Sequence, residues 1–233
     1  AAVLARLLMV NGLGELDQTN ADAIMQWLSA NGALYWTYTI MRMIGRIAFP
    51  IFCFLLVEGF LHTHDVKKYV IRLGLFALVS EIPFDLAFSS KVLEFNYQNI
   101  FFTLFIGLLT MIAYRAVEEK EEWNQALKVI LYIVIVIAGM ALAYFLKTDY
   151  AEKGVFCIMI LYIFRKKKMW QIIAGCASFI WETPALFGFI PIAFYNGTRG
   201  WKMKYFFYIF YPAHLLILYL LCYFMGISGY SAV

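Results

Sequence analysis

Between Leu127 and Leu146 the chain reads LKVILYIVIVIAGMALAYFL, twenty residues with a single charge, Lys128, at the edge. A helix needs about twenty apolar residues to cross a hydrocarbon core roughly 30 Å thick. In that core backbone polar groups must be satisfied within the segment, so such a run can only be a helix. Similar runs recur at about 34–61, 67–88, 99–116, 150–164, 169–194 and 205–226, with a short one at 1–10. Across the chain 64% of residues are hydrophobic and 15% charged, against about a quarter charged in soluble domains, too few to cover a water-facing surface. The sequence therefore predicts an all-α, polytopic transmembrane helix bundle of about 8 or more spans, one compact unit with no separate soluble domain.

The first run, AAVLARLLMV, is half the length of a span, so its helix is expected to start upstream of residue 1. Residues 14–28 contain no Lys or Arg and predict a solvated acidic loop, with or without a short surface helix. Asn11-Gly12, Asn31-Gly32 and Asn196-Gly197 read as turns. Lys67, Lys68, Arg115, Lys120, Lys128 and the RKKK run at 165–168 fall on one side if the spans alternate, and the positive-inside rule makes that side cytoplasmic. Arg199, Lys202 and Lys204 break the rule if 169–194 is one crossing. They obey it if ETP at 182–184 splits that run into two half-helices that return to the same side. The sequence leaves both open. The four cysteines stand singly in apolar stretches without metal-ligand spacing, so no metal site is expected. Most of the net charge of +4 comes from one loop and one membrane-edge segment, and no nucleic-acid module is present, which speaks against a nucleic-acid partner.

Charges inside spans carry the functional signal, because a lipid-facing ion costs several kcal/mol unless it finds a cavity or a partner. MRMIGRIAFPIFCFLLVEGFLHTHD places Arg42 and Arg46 four apart, Pro50 in the middle, and Glu58 and His62 four apart near the end. SEIPFDLAF places Glu81 and Asp85 four apart around Pro83, and two carboxylates on one face call for a cation, with Arg46 the economical partner. NYQNIFF puts Asn96, Gln98 and Asn99 at a span entrance, as helix caps or ligand contacts. In DYAEKG, Asp149 reads as an N-cap, and His214 is carried inside an aromatic helix after Pro212. Each group also admits a purely structural reading, in which internal pairing fixes helix packing.

Taken together, GRIAFPIFCFLLVEGFLHTHDVKKY, LFALVSEIPFDLAF, NYQNIFFTLFIGLL, TDYAEKGV and YNGTRGWKMKYFFYIFYPAHLLILYLL resemble the TraX family, membrane acetylases named for N-terminal acetylation of conjugative F-pilin. The similarity runs in order from about residue 33 to 222. It implies one integral-membrane acyltransferase-like domain over 1–233, in a bacterial inner membrane. That domain would move an acetyl group from acetyl-CoA to an amine or hydroxyl acceptor, which is a protein, a glycan or a small molecule. The family has an Asp-His pair in its first helix; this sequence lacks it, and the pair is expected just upstream of AAVLARLL.

On that resemblance, His214, Glu58, Asp85, Arg46 and His62 are the catalytic candidates, with a base activating the acceptor and donors stabilising the oxyanion. Arg199, Lys202, Lys204 and Asn196 are candidates for the phosphates of acetyl-CoA, and Glu81, Gln98 and Asn99 for substrate. The expected partners are the lipid bilayer, the acyl donor and the acceptor, and a homo-oligomer is compatible with the reading. Two other classes fit the buried charges: a proton-coupled small-molecule transporter, against which no internal repeat is visible, and a non-catalytic membrane assembly protein.

Overall fold

The computed structural model describes residues 2–17, 19–198 and 204–229, with the side chains of 204–207 outside the description. Among these residues the chain forms nine α-helices and no strand: α1 (Ala2–Val10), α2 (Ala21–His62), α3 (Val66–Ser89), α4 (Ile100–Glu118), α5 (Gln125–Phe145), α6 (Ala151–Ile163), α7 (Lys168–Ser178), α8 (Phe189–Phe194) and α9 (Lys204–Phe224). A 3₁₀ segment, Thr183–Gly188, runs directly into α8. The all-helical class stands as the periodicity predicts. Three described helices, α2, α4 and α5, are long and apolar enough to cross a membrane.

The helices fall into two compact units. The described residues within 1–45, 79–94 and 202–233 form the first, and those within 46–78 and 95–201 the second. In the first unit α1 packs against α9. In the second, α4, α5 and α6 pack against one another and α6 against α7. Their core is built from Phe49, Phe60, Leu108, Met111, Ile158 and Tyr162, all essentially inaccessible.

Local chemistry fixes the helix starts. Asn99 and Asn124 cap α4 and α5, their side-chain oxygens accepting from the N–H groups of Phe101 and Ala126. Asn20 does the same for α2, accepting from Ala23. That cap explains a departure from expectation: α2 begins at Ala21 and runs 42 residues, about 63 Å, straight through Asn31-Gly32. One glycine costs a helix only about 1 kcal/mol, and strong helix formers such as Ala30, Ala33 and Leu34 flank it. The expected loop at 14–28 is thus helical from Ala21 onward.

The run 169–194 is not one crossing. Helix α7 ends at Ser178, the chain turns at Phe179–Glu182, and the 3₁₀ segment and α8 follow, with α8 packed on α7. Lys168, at the start of α7, donates to the Tyr195 carbonyl just past the end of α8, so the hairpin closes where it opened. At about 16 Å, the 11-residue α7 cannot cross a 30 Å core. ETP therefore marks the tip of a re-entrant hairpin, the second of the two readings left open.

Close backbone approaches lock this arrangement. A Cβ on Gly188 would lie 2.6 Å from the Ile47 carbonyl oxygen and 2.6 Å from Pro50 Cγ, so only glycine lets the hairpin lie against the proline turn of α2. A Cβ on Gly154 would lie 2.5 Å from Thr103 Cγ2, 3.0 Å from Tyr150 Cβ and 3.2 Å from Phe49 Cζ. Overpacking a filled core costs about 1–3 kcal/mol. Gly154→Ala is therefore expected to lower the melting temperature of the detergent-solubilised protein by several degrees, measured by thermal denaturation. An unchanged melting temperature would show that the α4–α6 contact is slack.

Candidate functional site: a charge and aromatic cluster around Arg46

Three irregular segments of the second unit meet around Arg46: residues 95–99, residues 146–150 and the hairpin tip at 179–182. The first two pair their backbones. Gln98 N–H donates to the Lys147 carbonyl at 3.0 Å, and Asp149 N–H donates to the Gln98 carbonyl at 2.9 Å, forming an isolated parallel bridge between Gln98 and Thr148. Thr103, in the first turn of α4, donates its hydroxyl to the Asp149 carbonyl. Non-helical backbone in an apolar setting must find partners for its polar groups, and here the first two segments satisfy one another.

On this frame the Arg46 guanidinium lies 3.6 Å from a Glu182 carboxylate oxygen, with the two side chains 30% and 21% exposed. The pair is thus sheltered yet reachable. Within its unit, Arg46 faces the carboxylate of Glu182 in ETP. Arg46 also sits over the Tyr150 ring, 5.3 Å from its centroid. That ring stacks on Phe49 with centroids 3.6 Å apart and planes 3° from parallel, and meets Trp181 edge-on at 5.9 Å. The stack explains an unusual backbone: Tyr150 has φ +64°, in the left-handed region that a bulky residue enters only when its surroundings hold it there. Trp181 is fixed by its indole N–H, which donates to the Ser178 carbonyl at 2.8 Å, and the Lys153 ammonium lies 5.0 Å from its ring centroid.

Asp149 does not cap α6, as its position suggested; Tyr150 occupies the N-cap position, without a side-chain cap bond. The Asp149 carboxylate instead accepts a 2.7 Å hydrogen bond from the Tyr97 hydroxyl. Burial, reinforced by that carboxylate, pushes the Tyr97 phenol well above its ordinary value, so it stays protonated as a donor. Tyr97→Phe strips the half-buried Asp149 carboxylate of this donor. We expect a loss of about 1–3 kcal/mol in stability, read as a lowered unfolding midpoint; an unchanged midpoint would mean that solvent replaces the phenol at no cost.

Asn99 is buried and spends its side chain on the fold, accepting from Phe101 N–H at 2.9 Å and donating to the Ala77 carbonyl at 2.8 Å. Gln98 contributes its backbone to the site. Glu58 and His62 lie twelve and sixteen residues beyond Arg46 on α2, about 18 and 24 Å along the axis, so they belong to the other end of the unit. There His62 Nδ1 is 3.7 Å from a Glu58 carboxylate oxygen and 2.9 Å from the Glu58 carbonyl. Asn196 directs its side-chain oxygen to the N–H and hydroxyl of Thr198, at 3.0 and 2.7 Å, in a local turn.

In the first unit, Asp85 is buried and accepts from Glu94 N–H at 2.8 Å, and Glu81 is buried on the same helix. His214 Nδ1 lies 2.8 Å from the Phe210 carbonyl, and its ring stacks on Phe210 with centroids 5.0 Å apart. Arg42 donates to the Tyr38 hydroxyl at 2.9 Å. Arg199 and Lys202 lie outside the described residues, as does the side chain of Lys204. Among the described residues no three His, Cys, Asp or Glu side chains converge on a metal-binding arrangement.

Three apolar helices of spanning length, a re-entrant hairpin and a sheltered charge cluster define a membrane protein with a polar site inside a helical unit. Residues 30–222 match the family described as TraX protein, and the chain belongs to that family. It is also 27% identical over 208 residues to the probable fimbrial assembly protein FimC, serogroup H1, of Dichelobacter nodosus, a match covering 78% of this chain and 83% of that protein. No solved structure matches the chain.

Proposed function

We propose that this protein is an acetyltransferase of the bacterial inner membrane. It would move an acetyl group from acetyl-CoA to an amine or hydroxyl acceptor. The observation that carries this reading is the Arg46–Glu182 pair, a guanidinium 3.6 Å from a carboxylate in a half-buried, aromatic-walled setting. Acyl transfer needs a group that takes the acceptor's proton and a donor that stabilises the oxyanion formed at the acyl carbon. Glu182 is suited to the first role and Arg46 to the second. Both act with greater effect where water is sparse. Tyr150 and Phe49 hold Arg46 in place, and Tyr97, fixed as a donor, holds Asp149.

The opposite end of the second unit suits the donor. Lys67, Lys68, Arg115, Lys120, Lys128 and the RKKK run gather at the helix ends far from Arg46, and the positive-inside rule makes that end cytoplasmic. The hairpin opens there, beside Lys168 and Tyr195, with Asn196 just beyond and Glu58 and His62 at the mouth, which suits that end to the anionic head of acetyl-CoA; Arg199, Lys202 and Lys204 are candidates for its phosphates by sequence alone. Acetyl-CoA supplies an activated thioester carbonyl. On this reading the acceptor is engaged at the Arg46 end, away from the cytoplasmic face. The name of the Dichelobacter relative makes a fimbrial subunit a natural protein acceptor.

The same name favours a second reading, an assembly protein without catalysis. Incubating the purified full chain with acetyl-CoA and amine or hydroxyl acceptors separates the two. Acceptor-dependent release of CoA supports the transferase. Neither release nor binding of CoA would leave the assembly reading.

A further inference from the structure

The RKKK run at 165–168 serves neither the fold alone nor the proposed transfer site. Its four cations are not equivalent. Arg165 is drawn inward: its side chain is 12% exposed, its guanidinium lies 4.0 Å from the Tyr162 ring centroid, and it bonds Glu118. Lys168 is engaged with the Tyr195 carbonyl. Lys166 is 79% exposed and reaches Glu118 only at 3.7 Å, after Arg165 has claimed that carboxylate. Lys167 is exposed and makes no ion pair among the described residues. Immediately beyond, in the first turn of α7, Met169 is 73% and Trp170 53% exposed, two large apolar groups beside two exposed ammonium groups.

We propose that this turn is a binding site for the headgroup of an anionic phospholipid, with the lipid phosphate on Lys166 and Lys167 and the upper acyl region against Met169 and Trp170. The turn and a membrane surface match layer by layer. A membrane surface presents phosphate above hydrocarbon, and a turn that offers cations above exposed apolar side chains matches both at once. An indole also prefers the headgroup level. A soluble phosphate would use the lysines and leave Met169 and Trp170 without a role. Arg165, tied to Glu118 and Tyr162, leaves Lys166 only a long contact with that carboxylate, so both lysines stay exposed. The site is independent of the acetyl-transfer reading, because it rests on exposure and charge at the other end of the unit from Arg46.

The test uses the full chain in non-ionic detergent, with lipid retention read by native mass spectrometry. Phosphatidylglycerol and phosphatidylcholine are the probes, and inorganic phosphate the competitor. The variants are Lys166→Gln/Lys167→Gln, Trp170→Ala, and a charge-matched control, Lys120→Gln/Lys128→Gln. Wild type and control are expected to retain phosphatidylglycerol over phosphatidylcholine. The Lys166/Lys167 double variant should lose that preference by on the order of tenfold, as two surface cations imply, and Trp170→Ala should weaken both lipids. Equal loss in the control would overturn the site in favour of diffuse charge. Displacement of the lipid by millimolar inorganic phosphate would reassign it to a free anion. No preference in wild type would remove it.

Discussion

Arg46→Met is expected to lower acetyl transfer by about 10²–10³-fold while the protein still folds. On the proposed transfer reading Arg46 is the oxyanion donor, and loss of one preorganised oxyanion donor costs that much in other acyl-transfer enzymes. Methionine keeps an unbranched apolar stem and removes the guanidinium that lies over the Tyr150 ring, so the loss would fall mainly on the charge. Arg46→Lys restores a cation without the planar guanidinium that lies over Tyr150, and should recover only part of the rate. The measurement is acceptor-dependent CoA release, with the melting temperature recorded on the same samples. Full activity in Arg46→Met would remove Arg46 from the chemistry and leave it as a helix-packing residue.

Glu182→Gln is expected to lower turnover by about 100-fold or more, the usual worth of a positioned general base. The substitution keeps the shape of the side chain and an oxygen facing Arg46, and removes the ability to take a proton. Because both side chains are partly open to solvent, the loss of the ion pair itself should cost little stability, about 1 kcal/mol or less. A catalytic role therefore predicts a large change in kcat with a small change in Tm. The reverse pattern, a collapse in stability with the remaining folded protein fully active, would make Glu182 a latch for the hairpin tip.

Much of the fold is legible in the sequence because lipid allows so few solutions. Runs such as 127–146 can only be helices, and α5 duly occupies 125–145. Arg46, Pro50 and the ETP interruption stand out because charge and proline are expensive in a span, and all three prove to be at or near the hairpin tip. Two kinds of feature were hidden. The length of α2 depended on weighing a single Gly32 against its helix-forming neighbours, and turn chemistry alone gave the wrong answer there. The aromatic half of the site, Tyr97, Tyr150 and Trp181, has no signature in a chain that is 19% aromatic. What recruits these rings is the left-handed turn at Tyr150 and the return of the hairpin, both consequences of tertiary packing.

The partner of Arg46 was obscured for a related reason. Glu81 and Asp85 look like its natural counter-ions because they share the helical spacing of Arg42 and Arg46, whereas Glu182 sits alone in what reads as a broken span. Only the closure of the hairpin through Lys168 and Tyr195, and the glycine contact at Gly188 against Pro50, carries Glu182 back to the start of the apolar run. The carboxylate is placed by backbone geometry rather than by periodicity.

The central claim is that Arg46 and Glu182 form one transfer site, and a double-mutant cycle on turnover tests it most directly. Residues that act as a unit in one step give grossly non-additive losses. CoA release would be measured for wild type, Arg46→Met, Glu182→Gln and the double variant at matched folded concentration. The account predicts that the double variant is scarcely slower than the worse single variant. Losses that simply multiply, or single variants that turn over like wild type, would contradict it.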